Sequence, residues 1–237
     1  MSDTRTFWED RIASHSRHRG VGTCQDPESV NRARKEALFR SIEALLDNST
    51  IETLSGLELL DAGCGTGIYA DYLSEQGGNV CVFDFSRAAL EHATTNGATA
   101  SYVQGSVTDI PYLDDRFDIS FCLSVLYHLV DDEDWVAAIQ ELSRVTSPGG
   151  HLVLRINWEE RRFGDGEHFQ ERPRSEYLGL LSDYGFELRD VIPILDDPKY
   201  PDWLPMPLKR MLGPAITTLD WFEMGRNRLL LFSHLDT

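Results

Sequence analysis

Long apolar runs are missing from this chain. No stretch reaches the 18 or so residues needed to cross a bilayer, so no transmembrane segment is expected. Cysteine is sparse: Cys24, Cys64, Cys81 and Cys122 include no C-x-x-C pair. That argues against a disulfide scaffold and leaves buried thiols in a reducing cytoplasm as the expectation. No metal is expected. The opening Met1-Ser2-Asp3-Thr4-Arg5 leads into charged residues instead of an apolar core, which predicts no secretory signal and a cytoplasmic location. No internal repeat is visible.

Positive charge is the other shortage. Lysine occurs only at Lys35, Lys199 and Lys209, and 22 basic residues against 39 acidic ones give a net charge of −17. Such a surface disfavours a duplex nucleic-acid partner, because binding phosphates requires a basic face. The acidic groups are scattered, not gathered in a tail. Scattered acid with little lysine suits a protein working in concentrated salt, where counterions screen self-repulsion. An ordinary acidic cytosolic enzyme is the plainer alternative.

What the chain does have is one dense stretch of chemistry. Leu59-Leu60-Asp61-Ala62-Gly63-Cys64-Gly65-Thr66-Gly67 leads from an apolar run into a turn with glycine at every second position, and a helical stretch follows from Ile68. Residues without a Cβ let the backbone bend sharply and a ligand approach closely. The next apolar run, Val80-Cys81-Val82-Phe83, ends in Asp84, about 20 residues past the glycines, the usual distance for a carboxylate that bonds ribose hydroxyls. The pattern predicts a nucleoside pocket. A dinucleotide reads poorly here: G-x-G-x-x-G would place its third glycine at Ile68, and Asp61 adds negative charge where a pyrophosphate would lie.

Apolar periodicity predicts strands near 58–62, 79–84, 100–104, 117–122, 150–155, 186–194 and 228–234, with helices near 67–76, 86–95, 132–145 and 175–184. Ser86 and Ser175 are the expected N-caps, with Gly77-Gly78 and Gly185 as stops. Asp26-Pro27 reads as the start of an earlier helix running to about Leu46, so residues 1–55 form a helical extension before a domain at 56–237. Alternating β and α units imply a parallel sheet with right-handed crossovers. Two insertions interrupt it. Residues 157–174 carry Arg161, Arg162, Arg172 and Arg174; residues 195–224 carry five prolines among Trp203, Leu204, Met206, Leu208, Met211, Leu212, Trp221 and Phe222. The second is too apolar for disorder and reads as a lid over a substrate pocket, or as a surface resting on a membrane or a partner.

The stretch at 61–67 resembles motif I of the class I S-adenosylmethionine-dependent methyltransferases, acidic-x-G-x-G-x-G. Val82-Phe83-Asp84-Phe85-Ser86 is similar to the family's second motif, and Gly105-Ser106-Val107-Thr108-Asp109-Ile110-Pro111 to the segment after its third strand. Phe117 to Leu129, ending Val125-Leu126-Tyr127-His128-Leu129, is similar to the fourth-strand motif; Ser147-Pro148-Gly149-Gly150-His151-Leu152 matches the turn before the fifth strand. The resemblance implies a Rossmann-like α/β fold with a seven-stranded, mostly parallel sheet, an antiparallel last strand and helices on both faces. It implies S-adenosyl-L-methionine as cofactor, touched by Asp61, Gly63, Cys64, Gly65, Gly67, Asp84, Phe85, Ser106, Val107 and Cys122, with Asp61 and Tyr69 at the methionine end. One departure stands out: many relatives have Asp where this chain has Ser106, so adenine would be held mainly by backbone near Val107.

A hydroxyl acceptor would benefit from a base, and His128, on the carboxyl edge of the sheet, has the right chemistry. His151 falls at the opposite edge and reads as structural. A carboxylate acceptor would instead need a cation clamp, which the forked guanidinium groups of Arg161 and Arg162 could supply beside Tyr127. His15, Arg17, His18 and Arg19 read either as an arm folded over the site or as a solvated segment. The acceptor expected from these features is a sugar or hexuronic acid, lipid-linked in one version, since the opening Phe7-Trp8-Glu9-Asp10-Arg11 loosely resembles methyltransferases of surface-glycan assembly. A quinone or other small metabolite is the alternative, and a non-catalytic partner subunit that only binds cofactor is a further one.

Overall fold

A computed structural model describes residues 2–21, 28–96, 101–194 and 227–235. Cys24, Asp26-Pro27 and the apolar insertion 195–224 lie outside the described residues. Three helices come first: α1 (Ser2–Ala13), α2 (Arg17–Gly20) and α3 (Glu28–Asp47). Then β1 (Glu58–Ala62), α4 (Ile68–Glu75), β2 (Asn79–Asp84), α5 (Arg87–Asn96) and β3 (Ser101–Gln104) alternate as the apolar runs predict. After them come β4 (Phe117–Cys122), a 3-10 turn at Leu126–His128, α6 (Asp132–Val145) and β5 (Thr146–Asn157). The first insertion folds as a two-stranded hairpin, β6 (Phe163–Gly164) and β7 (Gln170–Glu171), followed by α7 (Arg174–Asp183), β8 (Phe186–Pro193) and β9 (Asn227–His234).

Seven strands form one sheet in the order β3-β2-β1-β4-β5-β9-β8. Neighbours are parallel from β3 to β5, and β9 runs antiparallel between β5 and β8. Alternate residues of each strand feed two cores, one on each face. Leu60, Leu152, Leu154, Leu230 and Phe232 pack with Ala138, Ile139 and Leu142 of α6 and with Tyr177 and Leu181 of α7. Leu59, Val82, Phe121, Val153 and Leu231 pack on the other side with Leu38, Ile42 and Leu45 of α3 and Leu73 of α4. A sheet covered on both faces explains why its strands read as continuous apolar runs.

Local signals set the helix ends. Ser86 Oγ accepts from Ala89 N–H at 3.1 Å. Gly77 takes φ +90° and, with Gly78, returns its N–H to the last turn of α4, a stop that tolerates a left-handed residue. One capping expectation fails. Pro173, not Ser175, stands before α7, and the Ser175 N–H points to Glu160 instead. Proline fixes φ ahead of a first turn that needs no donor, so it starts the helix two residues early. β5 also begins earlier than its apolar core suggests, because Thr146 pairs with Phe117 before a register shift.

Candidate functional site

The chain leaves strand β1 in one direction to reach β2 and β3, then crosses back to β4 and β5 on its other side. Parallel α/β sheets bind ligands where that order reverses, beyond the carboxyl ends of the strands. A cavity of about 660 Å³ opens there.

Its floor is the glycine turn, lined by Gly63 and Gly65, while Gly67 does not line it and packs against Ala93. Gly63, Gly65 and Gly67 all have left-handed φ, at +72°, +54° and +76°. A Cβ on Gly63 would lie 2.5 Å from Val125 Cγ2, and one on Gly65 2.7 Å from Val21 Cγ1, so the turn admits only glycine on both counts. Asp84 fixes the turn from beneath. Its Oδ2 accepts from Gly65 N–H and its Oδ1 from Ser86 N–H, each at 2.8 Å. Burial pushes the Asp84 carboxyl up to about 6 despite those two donors.

Asp61 is more extreme. It is 1% exposed, its Oδ2 has no hydrogen-bond partner among the described residues, and the backbone of Ala70 in the first turn of α4 donates to its carboxyl. Burial first, and the Asp84 charge second, push it up to about 7. A buried carboxylate oxygen without a donor, behind a glycine turn, fits a cationic amino group. Lys35, whose Nζ donates to Tyr69 Oη at 2.8 Å, lines the same end of the cavity and matches a carboxylate. Asp61 lies buried behind the lining, and the Lys35 charge acts on it to lower its pKa, so an acid and a base sit together at this end.

Phe85, Ser106 and Val107 line the cavity beside Asp84. The Ser106 hydroxyl is engaged with Thr108, sharing a 2.8 Å bond with Oγ1 and accepting from the N–H at 3.2 Å. Cys64 lines the cavity with its thiol pushed up by burial. Cys122 does not line it; it is 1% exposed in the core, and the next residue, Leu123, faces the cavity instead.

The far end is built from scattered segments. His128 and Tyr127 come from the 3-10 turn after β4, with their rings 4.4 Å apart. Trp8 of α1 meets the His128 ring edge-on at 4.8 Å. His128 Nδ1 bonds the backbone carbonyl of His168 at 2.8 Å, so Nδ1 carries the proton and Nε2 the lone pair. Burial pulls its pKa down to about 4. Ser124, also on the wall, holds a strained φ of +69° and accepts a hydrogen bond from Arg155. His151 sits at the other edge of the sheet, bonded to Ser233.

The insertion arginines do not reach the cavity. Arg161 pairs with Glu159, Arg162 with Asp132 and Glu176, and Arg174 with Glu160. A carboxylate clamp built on Arg161 and Arg162 is not assembled in this arrangement. Arg172 is buried and braces the wall from behind.

The N-terminal arm lies over the glycine turn, one of its two sequence readings, but the residues that close the cavity were not foreseen. Trp8, Ile12 and Val21 close the cavity from the N-terminal segment, and Lys35 joins them from α3. Glu9 caps α5, accepting from Arg87 N–H at 2.7 Å and Ala88 N–H at 2.9 Å. Arg17 donates to Thr66 O at 3.0 Å, Thr66 Oγ1 donates back to Arg17 O at 2.9 Å, and Arg17 pairs with Asp71. His15 bonds the Arg11 carbonyl within the arm, and His18 pairs with Glu28. The available signal was the Phe7-Trp8 pair, with Ile12 one turn on, in a mostly polar helix: large apolar groups that need something to cover them.

The sheet order, the glycine turn and the acidic residue closing β2 define the class I methyltransferase architecture. Residues 60–154 match the family model described as "Methyltransferase domain". That segment, which holds the glycine turn and strands β2 to β4, is similar to the methyltransferase domain family, and the sheet around it has the class I methyltransferase fold. It is 34% identical over 138 residues to a ubiquinone biosynthesis O-methyltransferase of Alkalilimnicola ehrlichii, covering 56% of this chain and 51% of that one. It is 37% identical over 101 residues to a malonyl-[acyl-carrier protein] O-methyltransferase of Pectobacterium atrosepticum, covering 42% and 38%. The chain thus spans about half the length, or less, of these two relatives. Among solved structures, the magnesium protoporphyrin IX methyltransferase of Synechocystis PCC 6803 with bound S-adenosylmethionine aligns at a TM-score of 0.64 and 18% identity, covering 98% of this chain and 97% of that one.

Proposed function

We propose that this chain is an O-methyltransferase that uses S-adenosyl-L-methionine to methylate a hydroxyl of a small-molecule acceptor. The observation that carries the acceptor chemistry is His128: a cavity-lining imidazole that is neutral at physiological pH, with Nδ1–H bonded to a carbonyl and Nε2 free to accept a proton. When bound, the cofactor supplies a methyl group on a sulfonium, which is already a good leaving group.

The protein's share is to bind, orient and dehydrate. Asp61 and Lys35 answer the ammonium and carboxylate of the methionine end, and Asp84 holds the ribose while keeping the glycine turn in register. Phe85, Ser106 and Val107 flank the base. Trp8, Ile12 and Val21 close the cavity against water. Positioning of this kind supplies ~7–11 kcal/mol of a barrier, so the base has only to accept the hydroxyl proton as the oxygen is alkylated.

A carboxylate acceptor, such as a uronic acid or the malonyl group in the name of one relative, is the second reading. It is weaker here, because Arg161 and Arg162 spend their charge on neighbouring acids away from the cavity. A sugar hydroxyl and a quinol remain alike on these grounds; the ubiquinone-pathway relative favours the quinol. Among the described residues no helix is long and apolar enough to cross a membrane, and the suggested membrane or lid role of 195–224 falls on residues outside that set.

Feeding radiolabelled S-adenosylmethionine and the purified protein to extracts of the source cell tests the reading. Alkali-stable label in a small metabolite or glycan is the expected result. Alkali-labile label would transfer the conclusion to a carboxylate ester. Calorimetry with S-adenosylhomocysteine tests the cofactor half separately: no binding at millimolar concentration removes the whole proposal.

A further inference from the structure

The hairpin insertion between β5 and α7 grips the cavity wall at two points. At its tip, Asp165 is fully exposed, yet its Oδ1 accepts three backbone N–H groups in a row: Glu167 at 2.9 Å, His168 at 2.8 Å and Phe169 at 2.9 Å. Those donors hold its carboxyl down at about 2. Asp165 N–H closes the turn on Phe169 O at 3.0 Å. The His168 carbonyl of this turn is the group that meets His128 Nδ1. Phe7 of α1 stacks on the His168 ring at 4.4 Å and pins the tip from outside.

At its base, the Arg172 guanidinium is 1% exposed and lies 4.7 Å over the Trp135 ring. Its Nη1 donates to Leu129 O at 2.9 Å, its Nη2 to Val130 O at 3.3 Å and Asp131 O at 3.1 Å, and its Nε to Asp132 at 2.9 Å. Those carbonyls follow His128 directly in the chain. One end of the hairpin therefore holds the imidazole and the other holds the backbone that carries it. A carbonyl only accepts, so the imidazole facing it must present Nδ1–H, and the lone pair then stays on Nε2.

We propose that this hairpin is a positioning element for His128, in which Asp165 aims the His168 carbonyl and so fixes the imidazole as its Nδ1–H tautomer. The idea builds on His128 as the base of the proposed reaction, but the tautomer can be read without turnover. Loss of the single bond from His128 to that carbonyl should shift the tautomer ratio by roughly tenfold, what one net hydrogen bond is worth.

The test is nitrogen–proton NMR of histidine-labelled, cofactor-free protein. In the parent, His128 should show the Nδ1–H tautomer with a bare Nε2. In Asp165→Ala the Nδ1–H to Nε2–H ratio should fall roughly tenfold, and Asp165→Asn, whose amide oxygen still accepts, should restore most of it. Arg172→Lys, which cannot span the same carbonyls, should move the ratio in the same direction; circular dichroism checks that it folds. Binding of S-adenosylhomocysteine should be unchanged in Asp165→Ala, since the turn does not touch that end. A parent protein with the proton on Nε2, or an unchanged ratio in Asp165→Ala, overturns the proposal. Should His128→Ala keep full turnover while Asp165→Ala still shifts the tautomer, the reading of His128 as base fails and the positioning inference stands.

Discussion

The two ends of the cavity are made in opposite ways. The cofactor end is built around one continuous stretch, Asp61 to Ser86, in which a strand, a glycine turn, a helix and a second strand fold on each other, with Lys35, Ser106 and Val107 added from elsewhere in the chain. The acceptor end draws on α1, the turn after β4, the end of β5 and the hairpin before α7, joined by contacts such as Trp8 on His128 and Phe7 on His168. Local geometry suffices for most of the first. The second exists only once distant segments have docked, so its residues carry no mutual spacing that a reader of the sequence could detect.

The sharpest break in this comparison is His128→Ala. Turnover on the acceptor found by labelling should drop by about 10²–10⁴, the usual worth of a general base, while the affinity for S-adenosylhomocysteine stays within about twofold. A matching loss of cofactor affinity would mean the two ends are not separable. Asp84→Ala should do the reverse. It removes an acceptor for two backbone N–H groups and for the ribose, so calorimetry should show binding weakened by about 1.5–3 kcal/mol in a protein that still folds.

Titration sharpens the contrast further. Asp61 has a pKa of about 7 before ligand arrives, and an ammonium-bearing ligand prefers its ionised form. Affinity for S-adenosylhomocysteine should therefore fall as pH drops from 7 towards 5, by up to about tenfold per unit, with proton release on binding, and Asp61→Asn should flatten that slope. His128 goes the other way. Its folded pKa of about 4 is below the ordinary 6.5, so the neutral base persists through pH 5, and the acid limb of kcat should appear near 4. By the same linkage, its contribution to stability is present above 6.5 and lost as pH falls through 4. An acid limb of kcat at 6.5 would show that His128 is solvated in the working enzyme. The smallest effect is expected from Arg162→Ala: its partners are exposed acids, so stability should move by less than about 0.5 kcal/mol, with turnover untouched. A large rise in acceptor KM would revive the carboxylate clamp.

Much of the frame was legible. The strands, the Ser86 cap and the Gly77 stop follow from period and turn chemistry over a few residues. Asp84, Phe85 and Val107 line the cavity, whereas Asp61 lies buried behind its lining. Ser175 was misread because serine is a good cap, whereas Pro173 fixed the start of α7 first. Cys122 was misplaced by one residue: strand alternation turns it into the core and gives the cavity Leu123. Arg161 and Arg162 were misjudged because arginine's fork suits an acidic neighbour as well as an acidic substrate, and this chain is rich in acids.

The sequence by itself determined the sheet, the glycine turn and the carboxylates behind it, since each depends on backbone conformation and apolar period within a few turns of chain. Tertiary structure alone decided which nitrogen of His128 holds the proton, that Lys35 and Trp8 join the site, and that Arg172 braces its wall. Those outcomes depend on desolvation and on partners 34 to 120 residues away, quantities that come into being only when the chain has closed on itself.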